Sequence, residues 1–216
     1  MPPFIHIIRH AQALHNVSGD LSQRDPKLTE LGYEQCKTAA AEFGDLGDKP
    51  DLILASPLQR TIQTALALFP AYTQSKKRIL LLPDLQESTM APSDTGHSRK
   101  YLEEKYGPVL DYSLLTPDWT DKGPKSWYSP RFVSVRARFT RLFIRETALR
   151  YRDRDANIVV VSHGMYLEHL TKQDGMFRQV ERRTYTFRPI TKGDLEAELI
   201  ETPLSIARRK KSHVIS

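Results

Sequence analysis

Short, mostly apolar runs recur along the chain, and the segments between them are longer and more polar. Three of the runs, residues 4–8, 51–55 and 157–161, are rich in Ile, Val and Leu. Such runs are typical of strands that are buried on both faces of a parallel sheet. Apolar residues at roughly helical spacing lie between them. The pattern predicts an α/β fold, a three-layer sandwich with a mostly parallel central sheet and helices on both faces.

Local signals predict where the helices begin and which elements follow. Thr29 is the predicted N-cap of one helix, and Ser56 of another, with Pro57 at its first helical position. A helix over residues 130–152 has apolar residues on one face and arginines on the other, and we expect this basic face to be solvated. We also predict a strand at 78–82, helices at 98–106 and 165–171, and a C-terminal edge hairpin of strands 183–188 and 195–200 that flank a turn at Lys192-Gly193.

Residues 83–130 break this regular alternation. They hold six of the 14 prolines and both tryptophans, and few of their apolar positions recur at a regular spacing. Irregular segments of this length inside a compact domain usually carry function, so we interpret 83–130 as a cap insertion. Four aromatic residues either line a substrate pocket there or form the cap's own small core: Tyr112, Trp119, Trp127 and Tyr128.

Length and composition favour one well-buried domain, placed at residues 1–205 with the cap inside it. The chain has 216 residues, 39% hydrophobic and 27% charged, without an apolar run long enough to span a membrane. The single cysteine, Cys36, excludes an internal disulfide and favours a reducing compartment. The net charge is +6, and the run Arg208 to Lys211 supplies most of it. We therefore expect 206–216 to be a basic, flexible tail.

Charged and polar residues directly follow the three predicted strands. Arg9-His10 follows the first, Ser56 to Arg60 follows the second, and Ser162-His163-Gly164 follows the third. Because open α/β sheets bind ligands at the carboxyl ends of their strands, we expect these residues to converge. Two arginines and two histidines at one rim form a cationic pocket. The ligand that this pocket predicts is a phosphate group.

The same residues occur in the order of a known family. They are Arg9-His10-Ala11 with Asn16, Ser56-Pro57-x-x-Arg60 with Gln63-Thr64-Ala65, Leu85-x-Glu87 and Val161-Ser162-His163-Gly164, and they span residues 5 to 164. This pattern resembles the histidine phosphatase superfamily, also called phosphoglycerate-mutase-like. Ser93-Asp94-Thr95-Gly96 resembles a fungal-like phosphatase subgroup. Ala11 stands where the family usually has glycine, an exchange that the family tolerates.

The resemblance implies a role for each of these residues. His10 would be the nucleophile, because a neutral imidazole has a free lone pair at physiological pH. Glu87 would protonate the leaving oxygen and then activate water. Arginines can supply the positive charge, so we expect neither a metal nor a cofactor. The residues expected to bind the phosphoryl group are Arg9, Asn16, Arg60, His163 and Gly164; Arg9, Arg60 and His163 also count as catalytic, and His163 is expected to be protonated beside the phosphate.

Several assignments remain open at this stage. Asp94 is an alternative to Glu87 as the general acid. His15, His97 and His169 are further candidates for substrate contact, although each alone is more typical of a surface or packing histidine. We expect His6, inside the first strand, to be a hydrogen-bonded core residue. None of the histidines has metal-ligand spacing.

These observations predict a phosphatase that hydrolyses small phosphomonoesters through a phosphohistidine on His10. The alternatives are a bisphosphoglycerate-primed phosphoglycerate mutase and a non-catalytic protein that binds phosphorylated ligands. The loop after Arg9-His10 lacks the Gly-Trp segment of those mutases. The expected partner is a small phosphorylated metabolite, with phosphate as product and competitive inhibitor, and with neither nucleic acid nor membrane. The predicted location is the cytoplasm, with nuclear access through the basic tail left open.

Overall fold

A computed structural model describes residues 3–44, 46, 49–189 and 193–212, with side chains as far as residue 210. One sheet lies at the centre of the described part. Its strands are β1 (Phe4–Arg9), β2 (Leu52–Ala55), β3 (Ile79–Leu81), β4 (Leu110–Asp111), β5 (Asn157–Ser162), β6 (Arg182–Phe187) and β7 (Leu199–Glu201). They lie in the order β4-β3-β2-β5-β1-β6-β7, and the first five are parallel. The predicted α/β fold with a mostly parallel sheet is confirmed.

Helices cover both faces of this sheet. They are α1 (Leu14–Ser18), α2 (Glu30–Glu42), α3 (Gln59–Leu68), α4 (Pro70–Gln74), α5 (Arg99–Tyr106), α6 (Val133–Leu149), α7 (Gly164–Thr171) and α8 (Pro203–Ser212). Within the described ranges, no helix combines the length and the apolar character that crossing a bilayer requires.

The central strands contribute alternately to two hydrophobic cores. In β5, Val159 and Val161 face the core that α2 and α3 cover, whereas Ile158 and Val160 face the core that α6 and α7 cover. All four side chains are fully buried. Burial on both faces explains why consecutive positions of these strands are apolar.

The predicted N-cap is confirmed for one helix and wrong for another. Thr29 caps α2, and its hydroxyl accepts the N–H of Gly32 at 3.0 Å. Helix α3 begins only at Gln59, and Ser56 does not cap it. The carboxylate of Asp25 instead accepts the N–H of Gln59 at 2.9 Å. A carboxylate from a loop that is distant in the sequence therefore caps this helix, and a local sequence pattern cannot predict such a contact.

The long helix α6 does not turn the face to the core that the sequence predicts, although Phe143 of that face packs against it. Arg136, Arg141 and Arg145 are buried, whereas Val135 and Phe139 of the apolar set are exposed. Each buried guanidinium donates to a backbone carbonyl or a carboxylate of another segment. The prediction of a solvated basic face is wrong, because these acceptors become neighbours of α6 only in the folded chain.

The predicted cap at 83–130 contains α5, β4 and irregular turns. Tyr112, Trp119 and Tyr128 are buried in the core on the α2 and α3 side of the sheet. Trp127 donates from Nε1 to the carboxylate of Asp84 at 2.6 Å. The three buried rings therefore have a packing role, but in a core that is shared with the sheet and not in a small core of the cap's own.

The C-terminal strands form the expected antiparallel edge pair, with Tyr185 of β6 opposite Glu201 of β7. Lys192 of the predicted turn lies outside the described residues. The segment predicted to be a flexible tail from residue 206 is helical as far as Ser212. Arg209 in this helix donates to the buried carboxylate of Glu201 at 3.0 Å, so this residue of the basic run packs on the edge strand β7.

Gly32→Ala tests the packing of α2 on the loop after β1. A Cβ at Gly32 would lie 2.2 Å from the backbone oxygen of Gln12, which already accepts the N–H of Thr29 at 3.0 Å. We expect this overpacking to lower the free energy of unfolding by about 1–3 kcal/mol in a denaturant titration. Gly44→Ala is the control, because its Cβ would meet only the Ala41 oxygen at 3.6 Å. Equal stability of both variants would contradict this account.

Candidate active site

The carboxyl end of β5 brings the two predicted histidines together. Arg9 pairs with Ser162 in the register of β1 and β5, and the N–H of His10 donates to the Ser162 oxygen at 3.0 Å. His163 follows Ser162 directly, so both imidazoles leave the same edge of the sheet. Their ring centroids are 5.2 Å apart, and both side chains are buried.

The ring of His10 is held in one tautomer. Its Nδ1 lies 2.7 Å from the backbone oxygen of Ala11, which can only accept, so Nδ1 carries the proton. Nε2 keeps its lone pair. Burial lowers the pKa of His10 well below 6.5, and the charge of Arg60 lowers it further. The imidazole is therefore neutral at pH 7, as a nitrogen nucleophile must be.

His163 is buried behind His10. Its Nε2 lies 2.8 Å from the hydroxyl of Ser56, whose N–H donates to the oxygen of Val161 at 3.0 Å. Burial lowers the pKa of His163 well below 6.5, and the charge of Arg60 acts in the same direction. The protein groups alone thus hold this ring neutral, whereas a protonated ring was predicted. That prediction presumed a neighbouring phosphate, whose negative charge would raise the pKa.

Arg9 and Arg60 are each anchored through part of the guanidinium group. Arg9 donates from Nη1 to the Phe177 oxygen at 2.7 Å. Arg60 donates from Nη1 to the Ser93 oxygen at 2.7 Å and from Nη2 to the Asp94 carboxylate at 2.7 Å. The Nε atoms of both arginines are buried and find no partner among the described residues. Each arginine therefore keeps at least one N–H for a ligand.

Gly164 provides space for Arg9 at the start of α7. A Cβ at this position would lie 3.2 Å from Cζ and Nε of Arg9 and 3.2 Å from Cγ of Met176. Contacts this short are tighter than side chains normally accept. The missing side chain lets the guanidinium lie against the first turn of the helix, so Gly164 shapes the site through its backbone.

Asn16 and His15 form a short hydrogen-bonded chain. The N–H of Ala13 donates to Oδ1 of Asn16 at 3.0 Å, so Nδ2 is the donor to His15 Nε2 at 3.1 Å. His15 then carries its proton on Nδ1, a buried atom without a partner in the described ranges. Burial lowers the pKa of His15 to about 4, so the ring is neutral. The predicted phosphate contact of Asn16 is limited to the remaining N–H of its amide.

Glu87 supplies the hydrogen bonds that start helix α7. Its Oε1 accepts the N–H groups of Tyr166 and Ser88, each at 2.8 Å, and its Oε2 accepts that of Met165 at 3.2 Å. His163, the N-cap residue, makes no side-chain cap. The remote carboxylate takes that place, and the positive end of the helix stabilises it there.

Asp94 is paired with Arg60 inside the site. Both side chains are buried, and the hydroxyl of Thr89 donates to the second carboxylate oxygen of Asp94. The N–H of Ser93 donates to the oxygen of Leu21 at 3.0 Å, which ties the cap to the loop after α1. The ion pair between Asp94 and Arg60 thus connects the cap to the strand ends, and sequence analysis did not predict it.

Two buried basic side chains lie behind Glu87, and sequence analysis missed both. Lys122 donates from Nζ to the oxygens of Glu87 at 3.0 Å and of Thr89 at 3.1 Å. Arg136 of α6 donates to the oxygen of Gln86 at 2.9 Å. Burial lowers the pKa of Lys122 to about 7. These side chains hold the segment that presents Glu87, but an isolated Lys or Arg in a polar stretch carries no signal of burial.

A cavity of ≈ 200 Å³ lies between the strand ends, the loop after α1, the cap and α7. Six of the seven predicted site residues line it: Arg9, His10, Asn16, Arg60, Glu87 and Gly164. His163, the seventh, is fully buried and does not line it. His15 and Asp94, which were open candidates, line it as well. Sequence analysis predicted no role for the remaining lining residues, which are Leu21, Thr89, Ser93, Met165 and Met176.

The other histidines lie elsewhere. His97 stacks on the ring of Tyr101, and His169 lies 3.4 Å from the hydroxyl of Ser134. His6 is in the core, as predicted, with both ring nitrogens hydrogen-bonded. In the part of the chain that is described, no three His, Cys, Asp or Glu side chains are grouped as metal ligands.

Four buried nitrogens around His10 have no partner among the described residues: Nε of Arg9 and Arg60, and Nδ1 of His15 and His163. An unpaired buried polar group costs about 1–3 kcal/mol. Three of these nitrogens belong to residues that line the cavity, Arg9, Arg60 and His15, and they indicate a ligand site there. Guanidinium and imidazole N–H groups are strong donors to phosphoryl oxygens. The arrangement can therefore hold a tetrahedral oxyanion next to the Nε2 lone pair of His10.

Asp25 links the loop after α1 to the helix that carries Arg60. Its Oδ1 accepts the N–H of Gln59, while its Oδ2 is buried without a partner within the described segments. The residue has a φ of 44°, in the left-handed region that is strained for a side chain. Burial raises the pKa of Asp25 to about 7, although Arg60 and the Gln59 N–H act in the opposite direction.

Comparison with known sequences points to one family. The profile of the histidine phosphatase superfamily (branch 1) matches residues 5–178. A phosphoglycerate mutase-like protein from Arabidopsis thaliana is 28% identical, over 79% of this chain and 74% of its own length. The range matched by the profile includes all of the strand-end segments that form the cavity.

Solved structures share the fold. A mycobacterial glucosyl-3-phosphoglycerate phosphatase complexed with VO3 has a TM-score of 0.57 at 20% identity, covering 92% of this chain and 96% of that one. A phosphoserine phosphatase from Entamoeba histolytica, in complex with 3-phosphoglyceric acid, has a TM-score of 0.57 at 18% identity, covering 93% and 95%. At these identities the likeness describes the fold alone.

Asp25→Asn should remove a pH-dependent loss of stability. The folded-state pKa of Asp25, about 7, lies above the ordinary value of 3.8, so its stabilising contribution is full below pH 4 and is lost as the pH rises through 7. The amide keeps the acceptor for Gln59 without the buried charge. We expect the variant to gain roughly 2–4 kcal/mol in the free energy of unfolding at pH 8 and little at pH 4, measured by denaturant titration. The exposed Asp153→Asn is the control; an unchanged pH profile in Asp25→Asn would refute the prediction.

Proposed function

The chain belongs to the histidine phosphatase superfamily (branch 1), and we propose that it is a phosphatase that hydrolyses small phosphate monoesters through a phosphohistidine on His10. Structural relatives of known activity support this class of reaction, since two of them are a glucosyl-3-phosphoglycerate phosphatase and a phosphoserine phosphatase. The second of these binds a compact phosphorylated acid.

The observation that carries the proposal is the tautomer of His10 inside a ring of unpaired donors. Its Nδ1 is committed to the Ala11 oxygen, which leaves the Nε2 lone pair free to attack. Arg9, Arg60 and His163 contribute buried nitrogens with no partner among the described residues. A protein that only binds phosphate would need these N–H donors. It would gain no affinity from the unprotonated Nε2 of His10 that lies among them.

The proposed reaction has two steps. In the first, the Nε2 lone pair of His10 forms a bond to phosphorus while the bond from phosphorus to the ester oxygen breaks, and the leaving oxygen takes a proton from Glu87. In the second, Glu87 takes a proton from water, the water oxygen bonds to phosphorus, and the phosphorus–nitrogen bond breaks to release phosphate. Arg9 and Arg60 compensate the charge on the phosphoryl oxygens throughout.

Glu87 is a better proton donor than Asp94 for an electrostatic reason. Asp94 lies 2.7 Å from the guanidinium of Arg60, and protonating it would leave that buried cation without its counter-charge. The direct partners of Glu87 are N–H groups and the hydroxyl of Ser88, and its charge also acts on the nearby guanidinium of Arg9. A proton on Glu87 therefore breaks no direct ion pair among the described residues, whereas a proton on Asp94 does.

A panel of phosphate esters assayed for released phosphate tests the activity. We expect turnover without added metal, undiminished by excess chelator, and competitive inhibition by inorganic phosphate. Loss of turnover with chelator, restored by one metal, would refute the metal-free mechanism. 3-Phosphoglycerate with the bisphosphate primer separates the phosphatase from a mutase, because a phosphatase forms no 2-phosphoglycerate. Binding of esters without any turnover would identify a non-catalytic phosphate-binding protein.

His10→Ala should abolish phosphate release, because a methyl group cannot replace the attacking nitrogen. Acid quench of the unsubstituted protein during turnover of labelled ester should trap an acid-labile, base-stable phosphoryl group, as expected of a phosphorus–nitrogen bond. The control is His169→Ala, a histidine that lies away from the cavity. Turnover in His10→Ala, or a trapped group with the lability of a serine ester, would exclude the phosphohistidine.

Glu87→Gln should harm poor leaving groups selectively, since the glutamine cannot donate a carboxylic proton. We expect kcat/KM for an alkyl phosphate to fall by about 10²–10⁴-fold, and that for p-nitrophenyl phosphate to fall far less. Asp94→Asn, the matched variant, should affect both substrates alike through the loss of its pairing with Arg60. The opposite pattern would assign the proton to Asp94.

A further inference from the structure

Three large apolar side chains stand exposed at the mouth of the cavity. Leu21 is 50% exposed, Met165 46% and Met176 50%, and each lines the cavity beside the polar residues of the candidate site. Single exposed apolar residues are ordinary on protein surfaces. Three that come from different segments and line one cavity can contact the apolar part of a ligand that is bound there. We call these three residues the apolar rim.

Backbone contacts hold the apolar rim in place relative to the reacting groups. The N–H of Met165 donates to the Glu87 carboxylate at 3.2 Å. The oxygen of Leu21 accepts the N–H of Ser93, which is next to Asp94 in the chain. Met176 lies against Gly164, where a Cβ would approach its Cγ to 3.2 Å. A leaving alcohol that departs from the phosphorus atom in the direction of the cavity mouth would therefore contact the apolar rim.

The charges of the cavity leave little for a second anion on the substrate. Among its lining residues the cations are Arg9 and Arg60, which the phosphoryl group requires. Arg60 is already shared with Asp94. His15 brings no charge at neutral pH, because burial lowers its pKa to about 4. If the leaving alcohol carried a carboxylate, that group would be dehydrated at the apolar rim without gaining an ion pair, which costs binding free energy.

We infer that this site selects phosphate monoesters of compact apolar alcohols over phosphate esters of hydroxy acids. The inference rests on the proposed phosphatase activity. Sites for drug-sized ligands are about 300–1,000 Å³, so a cavity of ≈ 200 Å³ favours a short alkyl chain or one ring. The flexible, polarisable side chains of Met165 and Met176 adapt to either shape.

The test is the dependence of kcat/KM on chain length for ethyl, propyl and butyl phosphate, whose alcohols are similar leaving groups. We expect a rise of about two- to fourfold per methylene, and a lower kcat/KM for 3-phosphoglycerate than for butyl phosphate. Met165→Gln and Met176→Gln should flatten this dependence. Met90→Gln is the matched control, because Met90 is 58% exposed but does not line the cavity.

A binding measurement separates this inference from the proposed activity. Calorimetric titration with butylphosphonate and with 3-phosphonopropanoate, neither of which can be hydrolysed, reports the preference without turnover. Tighter binding of butylphosphonate, weakened by the Met165 and Met176 substitutions, supports the apolar rim even if no ester is hydrolysed. Tighter binding of 3-phosphonopropanoate, or a chain-length dependence that the Met165 and Met176 substitutions leave unchanged, would overturn it.

Discussion

The parallel pairing at the carboxyl end of β5 is the constraint on which the candidate site depends. The Ser162 oxygen accepts the N–H of His10, and the preceding residue, Val161, accepts that of Ser56. Strands β1 and β2 therefore end level with β5, one on each side. The ring of His163 lies between their ends, 5.2 Å from His10 and hydrogen-bonded to Ser56. A shift of register by one residue would turn these side chains to the other face of the sheet.

Remote carboxylates begin both helices that follow this edge of the sheet. Asp25 accepts the first N–H of α3, which carries Arg60, and Glu87 accepts N–H groups in the first turn of α7. The residues that precede these helices, Ser56 and His163, therefore do not cap them, and their side chains can make other contacts. Ser56 bonds His163 instead, and His163 faces His10. The cost is a set of buried charges, which is visible in the raised pKa of Asp25.

Buried cations distinguish this molecule from the pattern that its hydropathy predicts. Helix α6 packs Arg136, Arg141 and Arg145 inward, and the cap buries Lys122. Each of these side chains donates at least one N–H to a backbone oxygen or a carboxylate of a segment distant in sequence, although Nε and Nη1 of Arg136 have no hydrogen-bond partner among the described residues. Long side chains can fill space with their methylene groups while the charged end reaches such acceptors. A basic helix face is therefore compatible with a core position when the facing loop supplies oxygens.

The sequence alone determined the mostly parallel sheet, the positions of Arg9, His10 and His163 at strand ends, and that of Arg60 at the start of the helix after β2. These features follow from short apolar runs and from family motifs, each of which is a short continuous segment next to one strand. The fold prediction failed where partners are distant, at the start of α3 and on the buried face of α6. Hydropathy is a property of single residues. It cannot predict which guanidinium will meet a carbonyl or carboxylate oxygen from a loop that is distant in the sequence.

Only the tertiary structure decided how the site is completed. It paired Asp94 with Arg60, fixed the tautomers of His10 and His15, buried the cap's aromatic residues, and placed Leu21, Met165 and Met176 around the mouth. Each of these outcomes depends on loop conformations that bring residues far apart in the chain within contact distance. The proposed reacting groups follow from strand ends that the sheet aligns, whereas the rest of the cavity lining follows from packing between loops, which local sequence does not encode.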